Sequence, residues 1–520
     1  MSSFPEPTSP LLVLAFATSI AFLIRWYYLR ADHRLPLPPG PPSDPIIGHV
    51  RIMPSSYPWK TFAEWGRRWG GLISINIFGK PIIIINDPKT ARELMEKRGA
   101  FYSDRPRLVL HCEIMGWDKV ISFLPYGNKY RRQRKMMMQH FNAQAVVDYR
   151  PIQIRELYKL LNNLLDTPEG FYHHTFRSTA STLTMATYGY EVNSEDDAYV
   201  KLVEKVNLMT VEPGAPGSTL PDFFPILRFV PKWFPGAGFK SHALKANALI
   251  QDMLDMPFDF VKHNRAQGTA LPSFVLSLLE ECERPGKVDL EQEEDMKAVS
   301  GNIYSAGVET TNAVKLTFLL AMVRNQDVMR KAQEEIDRVI GQDRMPTLED
   351  RDRLPYIDCI LKETLRWSPP VPLSIPHRVE RQDTYNGMRI PKGATVIPNI
   401  WQIMRDEQYY PEPDKFNPDR FLRPLKGDIS PDEYDPFNSV FGFGRRICPG
   451  RFFAEVGVWL TISNILAAFD ISPALDDNGH EYIPEAKFTS GFATQPEEFT
   501  CSIKPRNEKY AQHIRQTNFD

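Results

Sequence analysis

Apolar residues run almost unbroken from Leu11 to Leu29, interrupted by Thr18, Ser19 and Arg25. A bilayer core takes about 20 such residues, so the pattern predicts one transmembrane helix over about 11–29. Arg25 lies late enough to snorkel to the headgroups, and Trp26, Tyr27 and Tyr28 suit the interface. A cleaved leader would want a basic start and a small-residue cleavage site. Met1 to Pro10 holds no Lys or Arg, and no A-x-A follows. Arg25, Arg30 and Arg34 gather at the C-terminal end, which places that end in the cytosol. Residues 1–34 are thus expected to be an anchor. Residues 35–45 open on Leu35-Pro36-Leu37-Pro38-Pro39-Gly40-Pro41-Pro42, too rich in Pro for a helix. They are expected to form a stiff, extended hinge between membrane and body.

In the remaining 46–520 the period changes. Leu72–Phe78 and Pro81–Asn86 alternate or run apolar around Gly79-Lys80, which predicts a hairpin. Pro88 to Lys97 reads as a helix with Pro in its first turn. From about Asp289 to Asn325, Met296, Val299, Ile303, Ala306, Thr310, Val314 and Phe318 recur three or four apart, on one face of a long helix. Helical patterns dominate from 140 to 370, and short strand-like pieces lie near 371–400 and 482–503. No internal repeat or second linker appears, so the body is expected to be one mainly α domain with a minor β part.

Composition changes this picture little. Lys and Arg number 62 against 64 Asp and Glu, a formal charge of −2, which argues against bulk-charge binding of nucleic acid. With 42% hydrophobic and 24% charged residues the chain is globular, not disordered. Its five cysteines (Cys112, Cys282, Cys359, Cys448 and Cys501) are scattered without a CxxC pair, which speaks against a disulfide framework or structural zinc. Any cysteine chemistry is that of a single residue.

One cysteine stands in special surroundings: Phe441-Gly442-Phe443-Gly444-Arg445-Arg446-Ile447-Cys448-Pro449-Gly450. Glycines let backbone approach a flat ligand and permit φ > 0. A thiolate ligand needs donors around its sulfur and a dry, tight loop. Arg446 could pair with an anionic group on the same ligand. A second departure is Ala306-Gly307-Val308-Glu309-Thr310-Thr311, inside the long helical pattern. An acid and a hydroxyl are poor stock on an apolar face, and Gly costs about 1 kcal/mol relative to Ala there. Together they point to a functional break, with Gly307 opening the helix to a small ligand and Glu309 and Thr310 relaying protons.

FGFGRRICPG resembles the haem-binding loop of cytochrome P450, with Phe441, Gly444, Arg446, Cys448 and Gly450 at the family's positions. The resemblance implies haem b with Cys448 as axial thiolate to the iron and Arg446 on a propionate. Ala306-Gly307-Val308-Glu309-Thr310 is similar to the family's oxygen-activation motif. It implies Thr310 and Glu309 for proton delivery, and Ala306 and Gly307 facing the haem. Glu363, Arg366 and Arg420 look like the family's structural Glu-Arg-Arg triad. Tyr130 stands where the family usually has Trp, four residues before Arg134, and both are expected at a propionate. His377 is expected as a further contact, with Arg105 a weaker candidate. Arg131, Arg132 and Lys135 beside them could face an acidic redox partner.

The resemblance spans Pro36 to Pro505 and implies a membrane-anchored monooxygenase, fed by NADPH through a reductase, inserting one atom of O2 into an apolar small molecule. It implies the endoplasmic reticulum, with the domain facing the cytosol. Trp117, Ile121, Phe123, Leu208, Ile303, Val371, Leu373 and Phe492 are expected to line the substrate pocket. Trp233 and Phe234, in Pro231–Gly236, are expected to dip into the bilayer. Met115-Gly116-Trp117, Pro125-Tyr126-Gly127 and Trp233–Ala237 look like fungal members of secondary metabolism, acting on terpenoids or polycyclic aromatics. Two other classes compete: an enzyme on the same fold that rearranges peroxides or dehydrates, and a haem sensor or carrier. The first often lacks the acid–Thr pair, and the second needs no proton relay, basic face or anchor.

Overall fold

The computed structural model describes residues 35–192, 197–283, 290–422, 430–476 and 478–517, together with Thr18 and Ser19. Apart from those two, the expected transmembrane segment, Arg25, Arg30 and Arg34 lie outside the described residues. One described helix, Arg451–Ala468, is long and apolar enough to cross a bilayer, but it is mostly buried in the domain.

The body is mainly helical. Its principal helices are α1 (Pro58–Trp69), α2 (Asn128–His140), α3 (Arg150–Asp166), α4 (Phe171–Tyr188), α5 (Ala198–Val211), α6 (Gly238–Ala266), α7 (Leu290–Arg324), α8 (Pro355–Trp367) and α9 (Arg451–Ala468). The apolar stripe of α7 explains its central place. Met296, Val299 and Ile303 pack into one core with Ile250, Phe258 and Phe274, while Val314 and Phe318 enter a second core with Leu157, Leu361 and Trp459. Each such side chain contributes about 1.5–3 kcal/mol by leaving water. Ala306 and Thr310 lie between, where the same stripe borders empty space.

Gly307 does not break this helix, which runs unbroken from Leu290 to Arg324. A Cβ at Gly307 would come 2.9 Å from a methyl of Leu183. The missing side chain therefore brings α7 close to α4 rather than opening it. α4 buries a run of Ser and Thr at that contact. Thr175, Thr179 and Thr184 donate to carbonyls one turn back, at 2.9, 2.8 and 3.1 Å, which satisfies their hydroxyl protons without water.

The hairpin forms as expected: β1 (Leu72–Ile77) and β2 (Lys80–Ile85) pair antiparallel, Leu72 opposite Ile85. Phe78 (φ 48°) and Gly79 (φ 81°) turn it with two positive-φ residues, as a tight hairpin twist requires. β3 (His377–Arg378) and β4 (Thr395–Pro398) complete the sheet, β4 parallel to β2 and antiparallel to β3. A second small sheet pairs Phe469–Leu475 with Glu481–Tyr482 and Cys501–Pro505. The Pro-rich stretch is extended but fastened to the body, unlike a free hinge. Ser74 donates from its amide to Pro39 O (2.9 Å) and from its hydroxyl to Pro38 O (2.6 Å), and Arg389 donates to Pro36 O (2.7 Å).

The triad is assembled in full burial. Arg366 Nε and Nη2 donate to the two oxygens of Glu363 at 2.7 and 2.9 Å, and Arg420 Nε lies 3.2 Å from the same carboxylate. Glu363 also accepts the amide of Asn417 (2.7 Å), while Arg366 reaches Met404 O. One carboxylate thus holds α8 to the segment that precedes the Cys448 loop. Glu363→Ala would leave two buried guanidiniums unmatched, costing about 3–5 kcal/mol. We expect a lower urea midpoint and poor haem retention, whereas Lys331→Ala, which breaks an exposed pair with Asp419, should shift the midpoint little.

Candidate functional site

The loop before α9 is set by its glycines. Gly442 (φ 78°) and Gly444 (φ 52°) take left-handed backbone, and a Cβ at Gly444 would sit 2.6 Å from Met95 O. The loop therefore curls back, and Cys448 N donates to Phe441 O (2.8 Å). Cys448 lies three residues before the start of α9, where the amides of Gly450 and Arg451 donate to its sulfur. Burial pushes the thiol pKa up; those amides, Arg134 and Arg451 oppose it. Phe441 stacks on Phe437 (centroids 5.6 Å) beside the sulfur.

Cys448 opens onto a cavity of about 270 Å³. Ala306, Gly307 and Thr310 of α7 form one wall, and Phe441, Tyr130, Arg134, His377 and Arg446 also line it. Thr310 donates its hydroxyl proton to Ala306 O (2.8 Å), which leaves its oxygen available as an acceptor. Glu309 is not among the lining residues. It turns toward α5, hydrogen-bonding Asn207 and facing Glu204, and burial pushes its carboxyl pKa up. The wall follows the rows 302, 306, 310 and 303, 307, 311, and Glu309 lies about 100° from Thr310 on the side away from Thr311, outside both rows.

Three guanidiniums close one rim. Arg446 donates to Ser103 O (2.7 Å), Ile121 O (3.3 Å) and Leu124 O (2.7 Å), with its guanidinium 3.8 Å over the ring of Tyr130. Tyr130 in turn donates to Arg445 O (2.5 Å), and Arg134 to Ile447 O (2.6 Å). Arg105 donates to Ser122 O, Ile375 O and Pro376 O. All bond to neutral carbonyls. Among the described residues none has a carboxylate at ion-pair distance, since Asp104 is taken by Arg378. Burial pushes Arg446 down to about 10, and burial with Arg446 opposes the charge of Arg105. His377 is held well below the usual imidazole range by burial and by Arg105, and its Nδ1 lies 2.6 Å from Tyr102 O. Arginine cannot shed its proton, so this rim calls for anions. A flat cofactor bearing two carboxylates, with a metal for the thiolate, fits the donor set.

Sequence reasoning placed the pocket walls less well. Ile121, Ile303 and Val371 line the cavity. Trp117 instead packs in the core and donates to Thr210 (3.0 Å), Leu373 lies against the first sheet, and Leu208 is 65% exposed. Phe123 and Phe492 are not lining residues either. Leu183, Met137, Phe141 and Phe453 are, together with a polar pair in which Ser122 donates to Asn302 (2.7 Å). These come from five separate segments, and apart from the i, i+4 pair Met137 and Phe141 no periodicity links them. Arg105, the weaker candidate, is a full member of the rim. Arg132 is tied to Glu291 and Asp295 on α7 and is not free for a partner.

The Cytochrome P450 family model matches residues 38–502. Cytochrome P450 monooxygenase 176 of Postia placenta is 40% identical over 98% of this chain and 97% of its own length. Cytochrome P450 monooxygenase 136 of the same fungus is 39% identical over 97% and 95%. Cytochrome P450 monooxygenase claR of Ampulloclitocybe clavipes is 39% identical over 97% and 93%.

Arg134 is the rim cation with the fewest protein bonds, so its charge is the one most dedicated to the ligand. Arg134→Met keeps the stem and removes the charge. A charge-assisted bond contributes about 1.5–3 kcal/mol, so haem should transfer to an excess of an apo-acceptor protein about ten-fold faster or more. The unfolding midpoint of the haem-free chain should change little.

Proposed function

The chain belongs to the cytochrome P450 family of haem-thiolate monooxygenases, and on that premise we propose that it oxidises an apolar small molecule of fungal secondary metabolism at the cytosolic face of the endoplasmic reticulum. NADPH supplies the electrons through a reductase. The observation that carries this reading is a cysteine thiol that lines one cavity with Ala306 and Thr310 and with three guanidiniums that no carboxylate of the described residues pairs.

When bound, haem supplies the activation of O2 at its iron. The protein's part begins with Cys448, whose sulfur would bind the iron, held by amides and by the electropositive start of α9. Arg105, Arg134 and Arg446 would hold the carboxylate edge, with the Tyr130 ring packed against Arg446 to position it. Ile121, Leu183, Ile303 and Val371 exclude water and leave an apolar space for substrate, with Ser122 and Asn302 as its polar mark. Thr310 presents its hydroxyl oxygen to the same space as an acceptor and hands on a proton when the hydroxyl turns away from Ala306 O. Glu309 holds its own proton to higher pH than an ordinary carboxyl and reaches the cavity only by turning its side chain.

Exposed apolar residues support the membrane. Leu220, Phe224, Ile226, Phe229, Trp233 (79% exposed) and Phe234 stand on one run, and Ile46 is 93% exposed on another. Phe78 joins the two, its amide bonded to Ile47 O and its ring 4.7 Å from that of Phe224. The strap at 35–42 leads from the expected anchor to this body, and a patch of this kind marks an interaction surface. A chain lacking residues 1–34 should still sediment in part with phospholipid vesicles. Trp233→Glu with Phe229→Glu should abolish that residue of binding; equal binding by both would remove this face from the membrane.

The cofactor reading is tested by the reduced, CO-bound spectrum. It should show the red-shifted thiolate band, lost in Cys448→His, whereas an imidazole-type spectrum of the natural chain would sink it. Thr310→Ala should keep haem content and raise hydrogen peroxide per NADPH about two-fold or more, because a positioned proton donor is lost. Glu309→Gln should slow NADPH use more than it changes that ratio.

A further inference from the structure

A second, smaller cavity lies behind α7, bounded by α3, α4, α7 and α9, with room for about one or two waters. It shares Leu183, Thr311, Phe453 and Ala454 with the haem cavity, so those residues form a common wall. The rest of its lining mixes apolar Leu157 and Gly457 with Gln153, Ser178, Thr179, Thr182 and Thr461. Thr182 and Thr461 donate their hydroxyl protons to Ser178 O (2.7 Å) and Gly457 O (2.8 Å), and offer only acceptor oxygens to the space. Gln153 donates to Phe453 O (2.9 Å), and its carbonyl oxygen is buried without a partner.

Into this acceptor-lined space reaches one cation, Lys315, only 6% exposed. It sits four residues after Thr311, on the same face of α7. Among the described residues no hydrogen bond or ion pair closes on its ammonium. Burial pushes its pKa down to about 8, and Glu156 of α3 is the charged group that opposes the shift. Glu156 is itself bonded to Arg155 and Lys159, which reach the surface. An unpaired ammonium at this cavity requires a water partner, and the space holds about one or two molecules.

We propose that this cavity is a hydrated proton store for the haem cavity, in which Lys315 holds the proton and Thr311 is the crossing point. The proposal rests on the monooxygenase reading above. Lys315 gives one proton to the water chain and becomes the neutral amine; the Thr311 hydroxyl accepts a proton from one side and releases its own to the other. Solvent protons restore the ammonium from the Glu156 side, and no electron moves. Lys315 is thus a proton-holding group outside the reacting atoms.

The stoichiometry of O2 reduction by the holoenzyme with reductase and NADPH, without substrate, reads proton supply. O2 + NADPH + H+ gives H2O2 + NADP+, whereas O2 + 2 NADPH + 2 H+ gives two waters and two NADP+. A starved cavity favours the first. In the natural chain, peroxide per NADPH should be low at neutral pH and rise as pH passes about 8, where the ammonium is lost. Lys315→Met should raise the ratio about two-fold or more at pH 7 and flatten its pH dependence, as loss of a general acid does. Thr311→Val should raise it equally with Lys315 kept.

Thermal unfolding gives a readout apart from activity. The unfolded lysine titrates near 10.5 and the folded one near 8, so between these values the unfolded chain binds more protons and stability rises with pH. The natural chain should therefore gain on Lys315→Met in unfolding midpoint as pH rises from 8 toward 10.5, and Thr311→Val should keep that gain. Should Lys315→Met not fold, the pH limb of the natural chain and the Thr311→Val ratio decide. A flat peroxide ratio in the natural chain, or wild-type ratios in both variants, would overturn the store. Loss of the thiolate CO band in the natural chain would instead overturn the monooxygenase reading, while the unfolding series would still report the titration of Lys315.

Discussion

Buried arginine is the constraint on which this architecture turns. A buried lysine or carboxyl can neutralise itself by exchanging a proton, but a guanidinium cannot. Arg105, Arg134 and Arg446 are closed into one rim with carbonyl partners alone. Each carbonyl takes up a donor, and none cancels the charge. The missing anions must come from the ligand, so cofactor binding completes the electrostatics of the fold as well as its chemistry. The same bonds carry that dependence outward. Arg446 joins the segments at Ser103, Ile121 and Leu124, and Arg105 joins Ser122 to Ile375 and Pro376. An anion that steadies the guanidiniums therefore steadies the substrate-side loops.

The sulfur meets the opposite requirement. Leaving the proton off Cys448 places a negative charge in a dry site, and amides of Gly450 and Arg451 lower that cost without a full counter-charge. A strong cation against the sulfur would hold its electrons; neutral donors leave more of them for the metal. Such aim depends on a rigid loop. The Glu363 carboxylate supplies rigidity from behind, by tying Arg366, Arg420 and the amide of Asn417. Cations without carboxylates at the rim and a carboxylate shared by two cations at the back are complementary halves of one design.

Much of this was legible because it is encoded locally. Two glycines, an arginine and a cysteine at set spacing define the loop, and α7 announces itself by its period. Glu309 shows where motif reasoning stops. It adjoins Thr310 in sequence, yet about 100° of helical rotation carries it to α5 and Asn207. Gly307 misled in another way, since a glycine in a helix can mark a break or a close approach. Only the position of Leu183, far away in the chain, decides between them. The pocket walls were hardest, because Met137, Leu183 and Phe453 meet only through the packing of three helices. Arg105 carries no motif at all; its role comes from the loops it joins. The anchor rests on sequence alone.

The faces of α7 draw these features together. Asn302, Ile303, Ala306, Gly307, Thr310 and Thr311 follow the i, i+3, i+4 rule and make one wall of the haem cavity. Glu309 leaves that wall on one side, toward α5, and Lys315 continues from Thr311 into the small cavity on the other. A carboxyl whose burial favours its proton and an ammonium whose burial disfavours one thus flank the same turn. Desolvation shifts the acid up and the base down, so both move toward neutral pH, the range in which a group can give and regain a proton. An apolar residue at 315 would pack this space at lower cost, since a buried lysine without a counter-ion destabilises the fold. The cost is intelligible if the helix that walls the haem cavity also has to be supplied with protons from behind.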